Sequence, residues 1–335
     1  MLVHSEEPLN AETPRDELGA PITPAERFYV RNHGPVPDVD GSIEIGGLAE
    51  PRALTLADLQ ELPRQELVAT LQCAGNRREG LMAVRDIPGE APWGPGATGT
   101  ARWAGVALRD VLGAVADGAR YVAFVSVDRA EEADPPQDYG ASIPLRKALR
   151  PEVLLAWEMN GEPLPAVHGG PLRVIVPGYI GARSVKWVKR IEVRAEPWDG
   201  YYQATAYRLL PPDEKPAPGA GVPLGEVALN ADILSASAAD GRADIAGYAF
   251  AGGERHVTRV EVSCDGGTTW SPAELLDDQG PWAWRLWRAS LDLPDGCREI
   301  VARAWDSAAA TQPEHAASVW NPKGYVNNSW ARVSL

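Results

Sequence analysis

The chain has 335 residues, of which 44% are hydrophobic and 23% charged, a composition typical of a globular protein with core enough for about two domains. This balance excludes a coiled coil, a collagen-like rod and a wholly disordered chain. Because 46 acidic residues outnumber 32 lysines and arginines, the formal charge is −14, and no basic surface for nucleic acid or anionic lipid is expected.

Cysteine usage and the first residues bear on the compartment. The spacings of Cys73, Cys264 and Cys297 fit neither a disulfide framework nor a zinc site, so reduced thiols are expected. The first residues carry no basic start, no apolar core and no twin arginine, and the apolar runs are too short to span a bilayer. The sequence therefore predicts a cytoplasmic protein with no membrane partner.

The N-terminal part of the chain mixes predicted strands and helices. Alternation predicts a strand over residues 42–45, Thr55 is placed to cap a short helix, and an apolar run predicts a strand over residues 67–71. Helical spacing follows at residues 108–116, and further strands are predicted at residues 121–127, 172–176 and 185–193. Because no regular strand–helix–strand rhythm connects these elements, the pattern favours an α+β domain over a doubly wound sheet.

A run rich in proline and glycine, LLPPDEKPAPGAGVPL at residues 209–224, cannot continue a helix or a central strand. We therefore predict a first domain at 1–211, a linker at 212–224 and a second domain at 225–335. Short strands in the second domain are predicted at residues 245–250, 257–262, 282–287 and 300–304, with a hairpin turn at Asp265-Gly266-Gly267. Even spacing predicts an all-β sandwich, with seven of the twelve tryptophans filling a core or an interface.

The segment LQCAGNRR at residues 71–78 is the first candidate for chemistry. It places Cys73 at the end of a predicted strand, beside a glycine and two arginines. Neighbouring cations lower the pKa of a thiol, which suits a nucleophile or a metal ligand. A small buried hydrophobe is the alternative, so from the residues alone both interpretations stay open, with the cations favouring the functional one.

Two more segments collect groups that donate hydrogen bonds to anions. In FYVRNHGPVP, residues 28–37, Arg31 and His33 share one face if the segment is extended, although a solvated loop is the alternative. Residues 168–186 combine glycine-rich turns with four donors, which are His168, Arg173, Arg183 and Lys186. Neither a P-loop nor a dinucleotide-binding fingerprint matches. Cations gathered around one cysteine in an acidic chain suit a large phosphorylated cofactor and a small anionic substrate.

Seven blocks of the sequence resemble the sulfite oxidase family, which includes sulfite oxidases, bacterial sulfite dehydrogenases and the molybdenum domain of assimilatory nitrate reductases. The blocks are residues 28–37, 71–78, 100–105, 139–144, 157–161, 176–187 and 320–330. They follow in order and cover nearly the whole chain. The resemblance implies an α+β molybdopterin-binding domain of the sulfite oxidase fold, followed by an all-β immunoglobulin-like dimerisation domain, and hence a homodimer.

The resemblance also implies a site. Cys73 would be the single protein ligand of molybdenum, next to one molybdopterin. The residues holding the cofactor would be Tyr29, Val30, Arg31, Asn32, His33, Asp128, His168, Arg173, Ser184, Val185 and Lys186. The catalytic residues would be Arg31, Cys73, Arg78, Trp93, Tyr207 and Lys323. Lys323 stands where the family carries an arginine, which keeps the charge but loses the forked pair of donors.

The reaction implied by the resemblance is oxidation of sulfite to sulfate by oxygen-atom transfer. No haem or flavin motif is present in the sequence, so an external acceptor such as a cytochrome is expected to take the electrons. Reduction of nitrate or another oxo-substrate at the same centre is the first alternative, because of Lys323. The second alternative is a non-enzymatic dimeric module, in which a cysteine surrounded by cations would have no role.

Overall fold

The N-terminal part of the chain consists mainly of strands in the computed structural model, which describes residues 1–48, 50–276 and 278–335. The strands are β1 (Leu2–Ser5), β2 (Asn10–Glu12), β3 (Val30–Arg31), β4 (Ile43–Gly46), β5 (Arg52–Leu54), β6 (Arg64–Gln72), β7 (Thr98–Ala107), β8 (Tyr121–Ala130), β9 (Gln137–Pro144), β10 (Leu154–Met159), β11 (Glu162–Pro163), β12 (Arg173–Ile175), β13 (Val188–Arg194), β14 (Arg208–Leu209) and β15 (Val222–Pro223). The α-helices are α1 (Leu56–Gln60), α2 (Arg78–Met82), α3 (Leu108–Leu112) and α4 (Leu145–Ala148). Single helical turns occur at Arg15–Glu17, Ala25–Arg27, Ala166–His168, Gly181–Arg183 and, as a π-turn, Tyr202–Ala206.

These strands form two five-stranded sheets, one small three-stranded sheet and the two-stranded pair β14-β15. One large sheet has the order β11-β10-β7-β6, with β12 also paired to β10, and the other has the order β5-β4-β13-β8-β9. The small sheet has the order β1-β2-β3. The β4–β13 pair is parallel and the other pairs in both large sheets are antiparallel. The domain is thus β-rich, with helices only one turn long, and no helix in its described residues is long and apolar enough to cross a membrane.

Several predicted elements differ in length from those observed. Helix α1 begins as predicted, because the Thr55 side chain accepts from the Asp58 backbone while the Asp58 carboxylate accepts from the Thr55 backbone. The helix predicted at residues 108–116 ends at Leu112, since Gly113 adopts φ = 63° and leaves the helical region. The strand predicted at 185–193 begins only after Trp187, whose φ is 49°. The last two predictions were therefore too long.

The C-terminal part is a pair of four-stranded antiparallel sheets. The strands are β16 (Asn230–Ala239), β17 (Arg242–Phe250), β18 (Val257–Ser263), β19 (Ser271–Pro272), β20 (Glu274–Leu275), β21 (Arg285–Asp292), β22 (Glu299–Asp306) and β23 (Ala331–Ser334). The sheets have the orders β16-β17-β21-β20 and β19-β18-β22-β23, and apolar residues from both form one core. The predicted hairpin is present, because β18 pairs with β19 across Asp265. The strand predicted at 282–287 begins only at Arg285.

Two buried tryptophans of the C-terminal part have different surroundings. Trp287 lies in the core of the two sheets, with no exposed surface. Trp284 instead stacks on Tyr248 with ring centroids 5.4 Å apart, and its backbone N–H donates to the hydroxyl of Thr70 on β6 at 2.7 Å. One tryptophan therefore fills a core and the other fills the contact between the two parts.

The predicted linker packs against the first part of the chain. Its last residues include β15, which pairs with β14, and Leu224 is buried and donates its N–H to the Tyr207 carbonyl at 3.0 Å. The end of the proline- and glycine-rich segment is thus hydrogen-bonded to residues 207–209 of the first part of the chain.

A buried ion pair joins the two parts next to the segment that contains Cys73. Asp232 on β16 accepts from Nε of Arg77 at 2.8 Å and from Nη1 of Arg15 at 2.6 Å, and only 5% of its side chain is exposed. Removing one partner of such a pair leaves an uncompensated buried charge, whereas an exposed pair contributes little.

The Asp232→Asn change is therefore expected to lower the free energy of unfolding by about 3 kcal/mol, since both arginines lose their anion. Glu196→Gln is the control, because the Arg120–Glu196 pair is more than half exposed on both sides, and it should cost less than about 1 kcal/mol. Urea unfolding followed by tryptophan fluorescence measures both. Equal midpoints for the two variants would contradict a structural role for Asp232.

Candidate active site

The largest cavity near the predicted residues has a volume of about 690 Å³ and is bounded by turns that follow several strands. Its polar lining consists of Tyr29, Arg31, His33, Cys73, Ser126, Asp128, Tyr139, His168, Arg173, Ser184, Lys186 and Tyr207. Val185 and Gly181 also line it. The cations that the sequence scatters over more than 150 residues are thus brought to one place.

A tight turn after β6 presents Cys73 to this cavity. The Cys73 N–H donates to the Ala97 carbonyl at 2.9 Å, and the Asn76 N–H donates back to the Cys73 carbonyl at 3.0 Å. The Gly75 N–H lies 3.4 Å from the Cys73 sulfur and donates to it. A backbone donor aimed at the sulfur stabilises its anionic form, as a metal ligand requires.

Only one of the two arginines next to this turn stays near the cysteine. Arg77 turns into the C-terminal part, where it pairs with Asp232 and donates to the Ser329 carbonyl at 2.8 Å. Arg78 lines a second cavity together with Cys73. The expectation that both arginines flank the thiol is therefore wrong for Arg77, because the buried carboxylate of Asp232 is the stronger partner.

Arg31, His33 and Tyr207 form a short hydrogen-bonded chain. Nη2 of Arg31 lies 3.1 Å from Nδ1 of His33, and Nε2 of His33 lies 3.0 Å from the Tyr207 hydroxyl. Because a guanidinium only donates, Nδ1 must accept, so Nε2 carries the proton and donates to the tyrosine oxygen. This leaves the Tyr207 hydroxyl proton free to donate to a bound group.

The ionisation of these groups agrees with that assignment. Burial, and then the neighbouring Arg31, lower the pKa of His33 to about 3, so the imidazole is neutral near pH 7. Burial raises the pKa of Tyr207 to about 12, so the phenol keeps its proton. Burial also lowers the pKa of His168 to about 4, and its Nε2 lies 2.8 Å from the Ala25 carbonyl, to which it donates.

Arg173 is a buried cation and Lys186 a half-buried one, and both contact neutral groups. Arg173 donates to the carbonyls of His168 at 2.6 Å and Ser184 at 2.9 Å, while Lys186 donates to the Asn32 side chain and the Val167 carbonyl. In the described part of the chain neither one pairs with a carboxylate. Burial lowers the pKa of Arg173 to about 10 and that of Lys186 well below its usual range. Both cations therefore lack an anion.

The remaining predicted cofactor residues differ in their positions. Ser184 accepts the Val176 N–H through its hydroxyl at 3.0 Å, which fixes the turn that carries Lys186. Asn32 is buried and lies outside the cavity lining, where its Oδ1 accepts from Lys186 and its Nδ2 has no partner among the described residues. Val30 belongs to β3, is buried and does not line the cavity. Its role is therefore to hold the neighbouring residues Tyr29 and Arg31 in position through the strand.

Two residues of the glycine-rich stretch have structural contacts instead. Arg183 donates to the Gln203 side chain at 2.5 Å and to the Leu224 carbonyl, so it holds the predicted linker against the first part of the chain. At Gly178, an added Cβ would lie 2.5 Å from the Gly253 carbonyl oxygen of the C-terminal part. Gly181 does serve the cavity, since a Cβ there would lie 2.6 Å from the Tyr29 hydroxyl.

A second cavity of about 590 Å³ meets the first at Cys73. Its lining includes three of the residues that border the first cavity, namely Arg31, Cys73 and Tyr207, together with Arg78, Glu90, Trp93 and Tyr325. The sulfur of one cysteine therefore borders a large cation-lined space on one side and a smaller space on the other.

Lys323 contributes to the second cavity through a neighbour. Its backbone carbonyl accepts from Nε of Arg78 at 3.1 Å, and its ammonium donates to the carboxylate of Glu90. Glu90 and Tyr325 are among the lining residues that the sequence analysis missed. Tyr325 lies inside the C-terminal block at residues 320–330 and could have been found there, whereas no motif pointed to Glu90.

Two protein-family models match this chain. The family model described as oxidoreductase molybdopterin binding domain matches residues 33–202, and the one described as Mo-co oxidoreductase dimerisation domain matches residues 227–335. Sulfite oxidase of Arabidopsis thaliana is 42% identical, over 99% of this chain and 93% of that protein. The chain belongs to the sulfite oxidase family.

Two other members are similar over nearly the whole chain. The NADH nitrate reductase 2 of Phaseolus vulgaris is 37% identical over 97% of this chain but only 41% of that protein. The crystal structure of the sulfane dehydrogenase SoxCD from Paracoccus pantotrophus matches with a TM-score of 0.83 and 27% identity, covering 98% of this chain and 85% of that one. The chain is therefore a molybdenum oxidoreductase with a molybdopterin-binding domain followed by a dimerisation domain.

The larger cavity fits molybdopterin, which is an anionic, phosphorylated cofactor. Arg173 is buried and Lys186 is half-buried, and neither pairs with a carboxylate in the described part of the chain, an arrangement that is costly unless an anion binds. Nε of Arg173, a residue that lines the cavity, is a buried donor with no partner among the described residues. A sulfur borders the same space, as a soft metal bound to the cofactor would need.

This arrangement predicts opposite behaviour for two lysines. In protein from a host that cannot make the cofactor, Lys186→Met should leave the free energy of unfolding unchanged or raise it, because an unpaired, half-buried charge is removed. In a host that makes it, the same variant should contain several-fold less molybdenum per chain.

Lys147→Met is the matched control, because Lys147 pairs with Glu152 at 2.8 Å and both side chains are buried. Its removal leaves the buried carboxylate with only Arg150, at 3.9 Å, as an ionic partner among the described residues, and should cost about 3 kcal/mol in either host. Chemical unfolding and metal analysis measure both effects. Normal molybdenum content in Lys186→Met would refute the role of Lys186.

Proposed function

We propose that this protein oxidises sulfite to sulfate at a molybdenum atom held by molybdopterin and by the thiolate of Cys73. The observation that carries the proposal is the position of one sulfur between two cavities, a large one lined by unpaired cations and a small one lined by Arg31, Arg78 and Tyr207. Full-length similarity to a sulfite oxidase supports the substrate.

The overall reaction consumes sulfite and water and yields sulfate, two protons and two electrons. When bound, the molybdenum cofactor transfers the oxygen atom and takes up the two electrons. The residues of the chain supply charge and position around it. Holding the cofactor would fall to the lining of the larger cavity, with Tyr29, Asp128, His168, Arg173 and Lys186 around it.

In the smaller cavity Arg31 and Arg78 provide the positive charge that a sulfite anion needs, since the chain as a whole carries −14. Tyr207 donates its free hydroxyl proton to a substrate oxygen, because His33 occupies the tyrosine oxygen as a donor. Trp93, with 1% of its surface exposed, forms a rigid apolar wall that excludes water.

The electrons must leave for an acceptor outside the described cavities, and we propose a one-electron carrier such as a cytochrome. An acidic surface favours a basic partner through long-range attraction, which raises the association rate at low salt. We also propose that the two-sheet C-terminal domain is immunoglobulin-like and forms a homodimer, supported by its match to a dimerisation family.

Nitrate reduction is the second candidate, favoured by the similarity to a plant nitrate reductase. The same cations would bind nitrate. Lys323 differs from the arginine expected of a sulfite oxidase, but it retains a positive charge beside Arg78.

We expect purified, molybdenum-loaded protein to reduce ferricyanide with sulfite at least tenfold faster than it oxidises reduced viologen with nitrate. Cys73→Ser, which replaces the soft ligand by a hard one, is expected to abolish both activities. Nitrate turnover that exceeds sulfite turnover would reverse the assignment of substrate.

Replacing the phenol of Tyr207 should separate positioning from binding of the cofactor. Tyr207→Phe keeps the ring and removes one donor, so kcat/KM for sulfite is expected to fall about a hundredfold, while molybdenum content stays at the wild-type level. The control is Tyr121→Phe, at the first residue of β8 and outside the linings of both cavities. A kcat/KM for Tyr207→Phe within twofold of wild type would exclude a catalytic role for the hydroxyl.

A further inference from the structure

One carboxylate binds Arg78, which borders the smaller cavity, and also Lys323, which lies outside the cavity lining. Oε2 of Glu90 lies 3.3 Å from Nη2 of Arg78, and Oε1 of the same group accepts from the ammonium of Lys323. Glu90 lines the cavity itself, with 19% of its side chain exposed. It therefore occupies the position between the two cations that a small oxyanion would take.

This arrangement conflicts with simple binding of an oxyanion. Arg78 and Lys323 are already neutralised by Glu90, and a dianion brought next to them would also face the carboxylate. Arg31 is different, since it donates to the Asn10 side chain, the Asn32 carbonyl and Nδ1 of His33. Among the described residues, Arg31 is therefore the lining cation that has no carboxylate partner.

We propose that Glu90 is a specificity-determining residue that competes with oxyanions for Arg78 and Lys323. It holds the two cations when the cavity is empty, yields them when sulfite binds, and reclaims them as sulfate leaves. This inference rests on the proposed oxidation of sulfite. Its consequence is that Glu90 weakens the binding of the dianionic product and so speeds its release.

The surroundings of Glu90 allow such an exchange. The residue lies in the connection between α2 and β7, directly after Gly89, whose φ is 80° and around which an added Cβ would meet no atom within 4 Å. In the described part of the chain the carboxylate contacts only the two cations, and no hydrogen bond from a backbone N–H fixes it. Arg78, by contrast, is fixed by the carbonyls of Ala91, Lys323 and Gly324. Arg78 is thus preorganised, whereas the Glu90 carboxylate is free to move.

The central test compares Glu90→Gln with wild type. The change keeps the size of the side chain and removes its charge, so sulfate should bind at least fivefold more tightly, measured by isothermal titration calorimetry with sodium sulfate at constant ionic strength. In turnover, KM for sulfite should fall by a similar factor while kcat stays level or falls, because sulfate leaves more slowly. A purely structural role would change kcat and stability without tightening the binding of sulfate.

The matched control is Glu79→Gln, which removes the same charge from α2, one residue from Arg78, at a carboxylate that lies 3.8 Å from Arg15 and is half exposed. It should leave sulfate affinity within twofold of wild type. Equal sulfate affinity in Glu90→Gln and wild type would overturn the proposal. Absence of sulfite turnover in the wild type would instead refute the proposed function, so the two failures are distinguishable.

A measurement on the wild-type protein removes any dependence on the folding of the variant. A crystal structure of the molybdenum-loaded enzyme with sulfate in the smaller cavity should show the Glu90 carboxylate moved away from Lys323 and Arg78. Sulfate bound next to Arg78 with Glu90 still paired to both cations would overturn the proposal.

Discussion

Everything in this active site follows from the burial of cations that the protein itself does not neutralise. Arg173 is buried and Lys186 is half-buried against neutral carbonyls and an amide, which is stable only if the surrounding sheets hold them there or an anion binds. An acidic chain with a charge of −14 thus keeps a local positive field at the point where an anionic cofactor is needed. The fold supplies the energy for this by packing two extended sheets around the cavity.

The C-terminal domain contributes to the site in the first domain. Its Asp232 draws Arg77 away from the cysteine, and the carbonyls of Lys323 and Gly324 fix the guanidinium of Arg78. Tyr325 stacks near Tyr207 with ring centroids 5.6 Å apart and closes the smaller cavity. The substrate side of the site is therefore completed only when the two domains are packed together.

The smaller cavity must attract an anionic substrate and still release an anionic product. Arg31 holds a full positive charge beside the cysteine, whereas the charges of Arg78 and Lys323 are shared with Glu90. An enzyme that bound a dianion with three uncompensated cations would hold its product as tightly as its substrate, which does not help turnover. A mobile carboxylate offsets this without altering the groups next to the sulfur.

The sequence by itself determined the family, the cysteine, most of the lining of the larger cavity and the β-rich character of the second domain. These are local properties, because motif spelling, strand alternation and turn residues are set by neighbours along the chain. Helix and strand ends at Leu112 and Trp187 depended on single backbone torsions. The tertiary structure alone decided which charges meet: that Arg77 belongs to Asp232, that Arg183 holds Leu224, and that Glu90 stands between Arg78 and Lys323. These pairs join residues up to 233 positions apart, and Coulomb attraction acts through space with no trace in the spacing of the sequence.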